Sequence, residues 1–470
     1  MFIPRISALH PASWFRDVPF RLIWGLVWPQ MMMLLCGIVI SLTDIWAAGR
    51  LSADVQAAVG ISFQIQVLLL VFGMALGSGG MAAVSQSMGA GRMKRAQHYV
   101  GLVLSSCVGI AFLAAAALWL LRTPVLLLLQ TPEEVLPEAG YMVELMLLGL
   151  PFFYVVQVGG TLFRAARQVI APLLIVMVSC LLNVAGDLCF GLGWLGCPAF
   201  GMAGIAWSTW TANALAALLT VLFLRRGGLL MRGILPPIRW LKTGAPYLFK
   251  VAFPACINGM LWHLGYLVMY GIAAALPDGA SALAGLTAGN RIESLLYMPA
   301  NAFMVTASVL VGNALGAGDK ALAKRTGLAL FFLSGFSMSA VAACMWPFID
   351  ELAVFFAMES AVQTQIENYL FFNILIVPFT VSGMVMHGVM NGAGATLYPL
   401  IVNTSCIWLI RLPFGWGLAH HVLHDACGVY IAMCMSMTVQ TSAMVWIFFH
   451  KDWARFALGT HTHHEHKEKA

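Results

Sequence analysis

The sequence predicts an all-α membrane protein of twelve transmembrane helices, arranged as two parallel six-helix repeats that form two lobes. Three observations predict it: an apolar composition, apolar runs of membrane-spanning length, and an internal repeat. Apolar residues make up 61% of the 470 positions and charged residues only 9%. A soluble domain needs roughly a quarter of its residues charged to cover its surface. Runs such as Leu102–Leu121 and Phe331–Phe348 meet the roughly 20 residues a helix needs to cross the hydrocarbon. The alternating segments of about 10 residues that a β-barrel needs are absent. The first helix is expected near Leu22–Ala48. The N-terminal stretch carrying Arg5, Arg16 and Arg21 lacks a cleavage-site pattern, so that helix reads as an uncleaved signal anchor.

Pro29 in VWPQMMM matches Pro254 in AFPACIN at an offset of 225 residues. VSQSMGAGRMKRA (Val84–Ala96) matches VGNALGAGDKALA (Val311–Ala323) at 227, as do Pro172 with Pro399 and Gly201 with Gly428. Several anchors at nearly one spacing mark a duplicated unit. An even number of spans per unit gives both halves the same orientation, a plan typical of transporters. The expected divisions are an N-terminal segment (1–21), an N-lobe (22–224), a linker containing GILPPIRW (225–250), a C-lobe (251–450) and a histidine-rich tail (451–470). That tail, HTHHEHKEKA, reads as a solvated segment, with metal binding as the alternative.

All but four of the 25 basic residues cluster in alternate loops and at the two ends, the exceptions being Arg50, Arg122, Arg291 and Arg411. The other loops carry acids such as Glu133, Glu134, Asp350 and Glu351. The positive-inside rule then predicts cytoplasmic termini. The net charge of +6 is thereby a topological signal, and nucleic acid is not an expected partner. The ten cysteines read as packing residues, with Cys189 and Cys197 the one pair expected to approach.

Charge inside the hydrocarbon costs about 2.5–3.5 kcal/mol per residue on insertion scales, so each buried ionisable group needs a reason. Asp44 falls in the first span, Asn183 and Asp187 share one face of the fifth, and Thr209 adds a hydroxyl from the sixth. At the repeat offsets these become Met269, Ile410 and Phe414 for Asp44, Asn183 and Asp187. The same helices are thus built without them, which favours function over a polar clasp confined to one lobe. The second half therefore reads as the apolar counterpart. Weaker cavity candidates are Gln64 and Gln66, their repeat equivalents Arg291 and Glu293, and Asn258, Trp262, His263 and His387. For Arg291 and Glu293 a cap or loop contact near the end of the eighth span is the competing reading. Glu144 is expected to be interfacial.

DIWAAGRLSADVQAAVG (Asp44–Gly60), LLNVAGD (Leu181–Asp187), FGMAGIAWST (Phe200–Thr209), RIESLLYMPANAFMVTASVLVGNALGAGD (Arg291–Asp319) and MNGAGATLYP (Met390–Pro399) resemble the multidrug and toxic compound extrusion (MATE) transporters. The resemblance runs through nearly the whole chain. It implies a monomeric bacterial inner-membrane antiporter that exports lipophilic, often cationic organic compounds. Its partners would be membrane lipid and small organic substrates, with H⁺ or Na⁺ as coupling ion and no other cofactor. Asp44, Asn183, Asp187 and Thr209 look like the cation site of the DinF-type (DNA-damage-inducible protein F) branch, where these four would be the ligands of Na⁺ if Na⁺ is the coupling ion. The norfloxacin-resistance branch adds acids in the seventh and tenth spans. Here ACINGMLWHLGYLVMYG and FFNILIVPFTVSGMVMHG have none, which argues against a cation site in the C-lobe. The alternatives are a lipid-linked oligosaccharide flippase, which would want an arginine-rich cavity, and a membrane-embedded enzyme. The latter would want a nucleophile–base pair or a His-Glu-x-x-His motif, and neither occurs.

Overall fold

The computed structural model describes residues 20–129, 131–231 and 236–458. Within them, twelve helices are long and apolar enough to cross a membrane. In hydrocarbon every backbone N–H and C=O must be satisfied within its own segment, so long apolar runs fold as helices throughout.

The first six spans are α1 (Phe20–Leu51), α2 (Ala53–Gly89), α3 (Met93–Leu128), α4 (Leu136–Ala165), α5 (Ile170–Gly186) and α6 (Met202–Arg226). The wider turns of a π-helix, Asp187–Gly191, continue α5. The seventh span, α7 (Ile238–Ala274), starts inside the expected linker. Ile238–Lys250 of the expected linker is therefore helix. The eighth span is broken in two at Tyr297, giving α8 (Gly279–Leu296) and α9 (Met298–Gly316). Pro299 sits at the start of α9, where its missing N–H costs no helical bond. The ninth span is α10 (Lys320–Met345) with α11 (Ile349–Phe356), and the tenth is α12 (Ser360–Ala393). The eleventh runs through α13 (Leu397–Ser405), a π-turn (Cys406–Arg411), α14 (Leu412–Gly417) and a second π-turn (Leu418–Val422). The last is α15 (Cys427–His450).

The chain divides into two compact units. One is Trp28–Ala252; the other is Phe253 onward with the start of α1 up to Val27. The repeat is visible in the backbone of each. In the first, Gly91 adopts φ +66 after α2, with Arg92 N donating to Ser87 O and Gly91 N to Met88 O, both at 3.0 Å. In the second, Gly318 adopts φ +82 after α9, with Asp319 N donating to Ala314 O and Gly318 N to Leu315 O, both at 3.0 Å. These are the same 6→1 and 5→2 bonds of a glycine-terminated helix, 227 positions apart.

Small residues bring helices into backbone contact, the usual packing device where lipid is as apolar as the side chains. A side chain at Gly204 of α6 would collide with the Phe190 carbonyl at the end of the fifth span. One at Gly388 or Gly392 of α12 would strike the α9 carbonyls of Met304 or Ser308. Glu144 pairs with Arg122 at 3.2 Å, both about one-third exposed, in line with an interfacial position.

Candidate functional site

In the Trp28–Ala252 unit the fifth span carries Asn183 and Asp187 one turn apart, at 2% and 0% exposure. Gly186 allows this face to meet α6 closely, since a Cβ there would lie 2.5 Å from the Ser208 hydroxyl. Asn183 Nδ2 donates to Thr209 Oγ1 at 2.9 Å, and Thr209 Oγ1 donates back to Ile205 O at 3.2 Å. Asn213, one turn on, donates through Nδ2 to Thr209 O at 2.9 Å. The Asp44 carboxyl reaches this group from α1 and contacts both Asp187 and Asn183. The four residues expected from sequence are thus brought together by three helices.

Their oxygens are under-supplied with donors. Among the described residues, Asp44 Oδ1, Asn183 Oδ1 and both carboxyl oxygens of Asp187 are buried without a hydrogen-bond donor. Two carboxylates brought together without a donor repel, and a proton or cation between them removes that repulsion. Hard cations such as Na⁺ prefer oxygen ligands, and two carboxyls, an amide oxygen and a hydroxyl are that chemistry. No group of three or more His, Cys, Asp or Glu side chains able to hold a metal occurs among the described residues. Any metal here would therefore lean on the neutral oxygens of Asn183 and Thr209.

A cavity of about 100 Å³ opens beside this group. Asp44 and Thr209 line it, with Gln66, Asn213 and an apolar wall that includes Phe63, Met146 and Trp210. Gln64, two residues from Gln66, points away and is exposed. Among the described residues, no arginine or lysine lines this cavity.

The second unit departs from the expectation of an apolar counterpart. Glu293 is not a cap or loop residue. It lies 14 residues into α8, about 21 Å along the helix axis. Its carboxylate accepts from the Tyr369 hydroxyl of α12, and Asn373 of α12 is a further partner. Asn373 Oδ1 also accepts from Tyr297 Oη at 3.0 Å. These groups line a second, small cavity of about 20 Å³ with Tyr430, Met433 and Met437. Arg411 is buried at 2% exposure in the same unit. Its Nε donates to Ser436 Oγ at 2.9 Å, and its guanidinium carbon lies 5.6 Å and 5.8 Å from the Trp262 and Tyr266 ring centres. Among the described residues, both of its Nη atoms lack an acceptor. Ionisable groups are therefore buried in both halves. Arg411 could have been found from sequence, as a lone charge inside SCIWLIRLPFGW. Tyr297, Tyr369 and Asn373 are ordinary residues of spans and gave no signal.

Of the weaker candidates, Gln66 and Glu293 line cavities, and Trp262 stacks on Arg411. Asn258, His263, Arg291 and His387 line neither cavity, and His263 and Arg291 are exposed. A second cysteine pair also emerges: Cys180 Sγ lies 3.7 Å from Cys36 O, joining α5 to α1. The histidine-rich stretch from His461 lies outside the described residues.

A family model described as MatE matches residues 29–188 and 254–416, one block in each half. The probable multidrug resistance protein YoeA of Bacillus subtilis is 23% identical over 420 residues, 86% of this chain and 90% of that protein. The probable multidrug resistance protein NorM of Thermotoga maritima is 24% identical over 427 residues, 88% of each. Among solved structures, the Vibrio cholerae MATE transporter VcmN in its bent form superposes with a TM-score of 0.84 at 21% identity, covering 93% of this chain and 98% of that one. A MOP-superfamily transporter from Pyrococcus furiosus gives 0.80 at 19% identity, covering 92% and 96%. With the family model matched across both six-helix units, the chain belongs to the MATE family, a family of multi-pass membrane transporters and not of enzymes.

Proposed function

We propose that this protein is a cation-coupled antiporter that exports lipophilic, often cationic organic compounds, driven by H⁺ or Na⁺. We place it in a bacterial inner membrane with both termini cytoplasmic. The observation that carries the reading is that the donor-poor group Asp44–Asn183–Asp187–Thr209 and the cavity beside it share Asp44 and Thr209. An organic cation held against the Phe63, Met146 and Trp210 wall gains apolar burial and cation–π attraction, with Asp44 as its counter-charge. A proton or Na⁺ arriving at Asp44 and Asp187 removes that counter-charge and releases it. Alternate exposure of this one site to the two sides of the membrane then exchanges ion for substrate. The multidrug-resistance names of the relatives support the substrate class. The described lining, which carries Asp44 and no basic residue, favours cations over the diphosphate of a lipid-linked sugar.

Proteoliposomes loaded with a fluorescent lipophilic cation test this under an imposed pH gradient and, separately, an imposed Na⁺ gradient. One gradient should drive transport in the native protein, and Asp44→Asn and Asp187→Asn should each abolish the driven component. Undiminished driven transport in both variants would overturn the assignment.

A further inference from the structure

We propose that Cys189 and Cys197 are oxidised to a disulfide that pins the end of the fifth span beside Asp187. The inference rests on the orientation proposed above, which puts the α5–α6 loop on the outer side, and not on the transport cycle.

The backbone already folds the two cysteines together. Cys189 lies in the π-helical turn Asp187–Gly191, two residues beyond Asp187. Gly193 N donates to Cys189 O at 3.1 Å, and Cys197 N to Trp194 O at 3.2 Å. Between them Gly193, Leu195 and Gly196 all take left-handed conformations, at φ +77, +59 and +77. A Cβ at Gly193 would sit 3.4 Å from Cys197 O, so the returning strand passes directly over the turn that carries Cys189. The loop closes where Phe200 N donates to Phe190 O at 2.8 Å. Within this closed loop the two thiols are near neighbours, both free and both half-buried.

Leu195 is the strained member: a leucine in the left-handed region, 92% exposed, with no buried packing to hold it. A covalent tie across the loop removes open conformers from competition with this turn. The same tie fixes the Phe190 carbonyl against Gly204, and with it the α5–α6 crossing that carries Asp187 and Thr209. Disulfides persist on the oxidising side of a membrane. The Cys36–Cys180 pair lies near the middle of its spans, away from water-soluble oxidants. Oxidation of Cys189 and Cys197 needs an oxidised dithiol protein as acceptor. One cysteine thiolate attacks the acceptor's disulfide, and the second displaces the mixed disulfide. One S–S bond forms in the loop, and the acceptor leaves as a dithiol carrying the two protons.

The test is sequential thiol tagging of the full chain in Gram-negative cells. Intact cells receive a membrane-impermeant maleimide; after acid denaturation, iodoacetamide caps every remaining free thiol; reduction then exposes disulfide sulfurs to N-ethylmaleimide. Peptide mass mapping should find the last tag on both Cys189 and Cys197. Either of the first two tags on them overturns the pairing. A Leu195→Cys reporter in a Cys189→Ser/Cys197→Ser background reads the orientation independently. Labelling by the impermeant reagent supports an outer loop. A reporter protected in intact cells but labelled after lysis overturns the orientation and the disulfide with it, while leaving the gradient-driven transport assay to stand on its own result.

Discussion

Asp187→Asn separates a working cation site from a structural clasp, because the two readings predict opposite signs for stability. Four buried oxygens in this group lack a donor: Asp44 Oδ1, Asn183 Oδ1 and both of Asp187. A buried acceptor without a partner costs about 1–3 kcal/mol. Asparagine at 187 keeps the shape, removes one of two adjacent carboxyls and brings two N–H donors within reach of Asp44 and Asn183. Interhelical hydrogen bonds in membranes average about 0.6 kcal/mol and reach about 1.7. The variant should therefore unfold later than the native protein by roughly 1 kcal/mol, which is about 2–4 °C for a unit of this size. Ion-driven efflux should nonetheless be lost, because the site no longer takes up a cation. The assay is thermal unfolding in detergent beside transport in everted vesicles, with each gradient imposed in turn. A destabilised variant that still transports would refute the reasoning, and Asp187 would then be a clasp that holds α5 to its neighbours.

Three further outcomes follow from the packing. Gly204→Ala drives a methyl into the Phe190 carbonyl; it should cost about 1–3 kcal/mol in thermal unfolding and weaken transport through displacement of Asp187. Tyr369→Phe removes the hydroxyl that donates to Glu293, leaving a half-buried carboxylate short of a donor. It should cost about 1–3 kcal/mol, and Glu293→Gln in the same chain should restore most of the loss in denaturation experiments. Gly289→Ala tests the same contact sterically, since its methyl would strike the Tyr369 ring; its midpoint should fall as far as that of Tyr369→Phe or further.

The candidate group in the first unit was legible because its signal is local. Asn183 and Asp187 are one turn apart in an apolar helix, so spacing alone puts them on one face. The repeat then shows that Met269, Ile410 and Phe414 serve where Asp44, Asn183 and Asp187 stand. That comparison misleads for the second unit, because it asks only whether the same positions carry polar groups. Arg411 is the repeat equivalent of Val184, one step from the Asn183 register. Glu293 is the equivalent of Gln66. The second unit thus places its charges at other positions of the repeat.

The sequence by itself determined the twelve spans, their grouping into two repeats and the glycine turns that end α2 and α9. Each follows from a local requirement: backbone groups in hydrocarbon must bond within their own helix, and a positive φ at a helix end selects glycine. Only the tertiary structure decided which side chains meet. Glu293 finds Tyr369 and Asn373 because α8 crosses α12 at Gly289 and Gly285, where Cβ atoms would strike Tyr369 and Gln365. Asp44 joins Asp187 because α1 lies against the π-helical end of the fifth span. Helix crossings are set by interlocking side-chain shapes summed over whole faces, and no short window of sequence contains that sum.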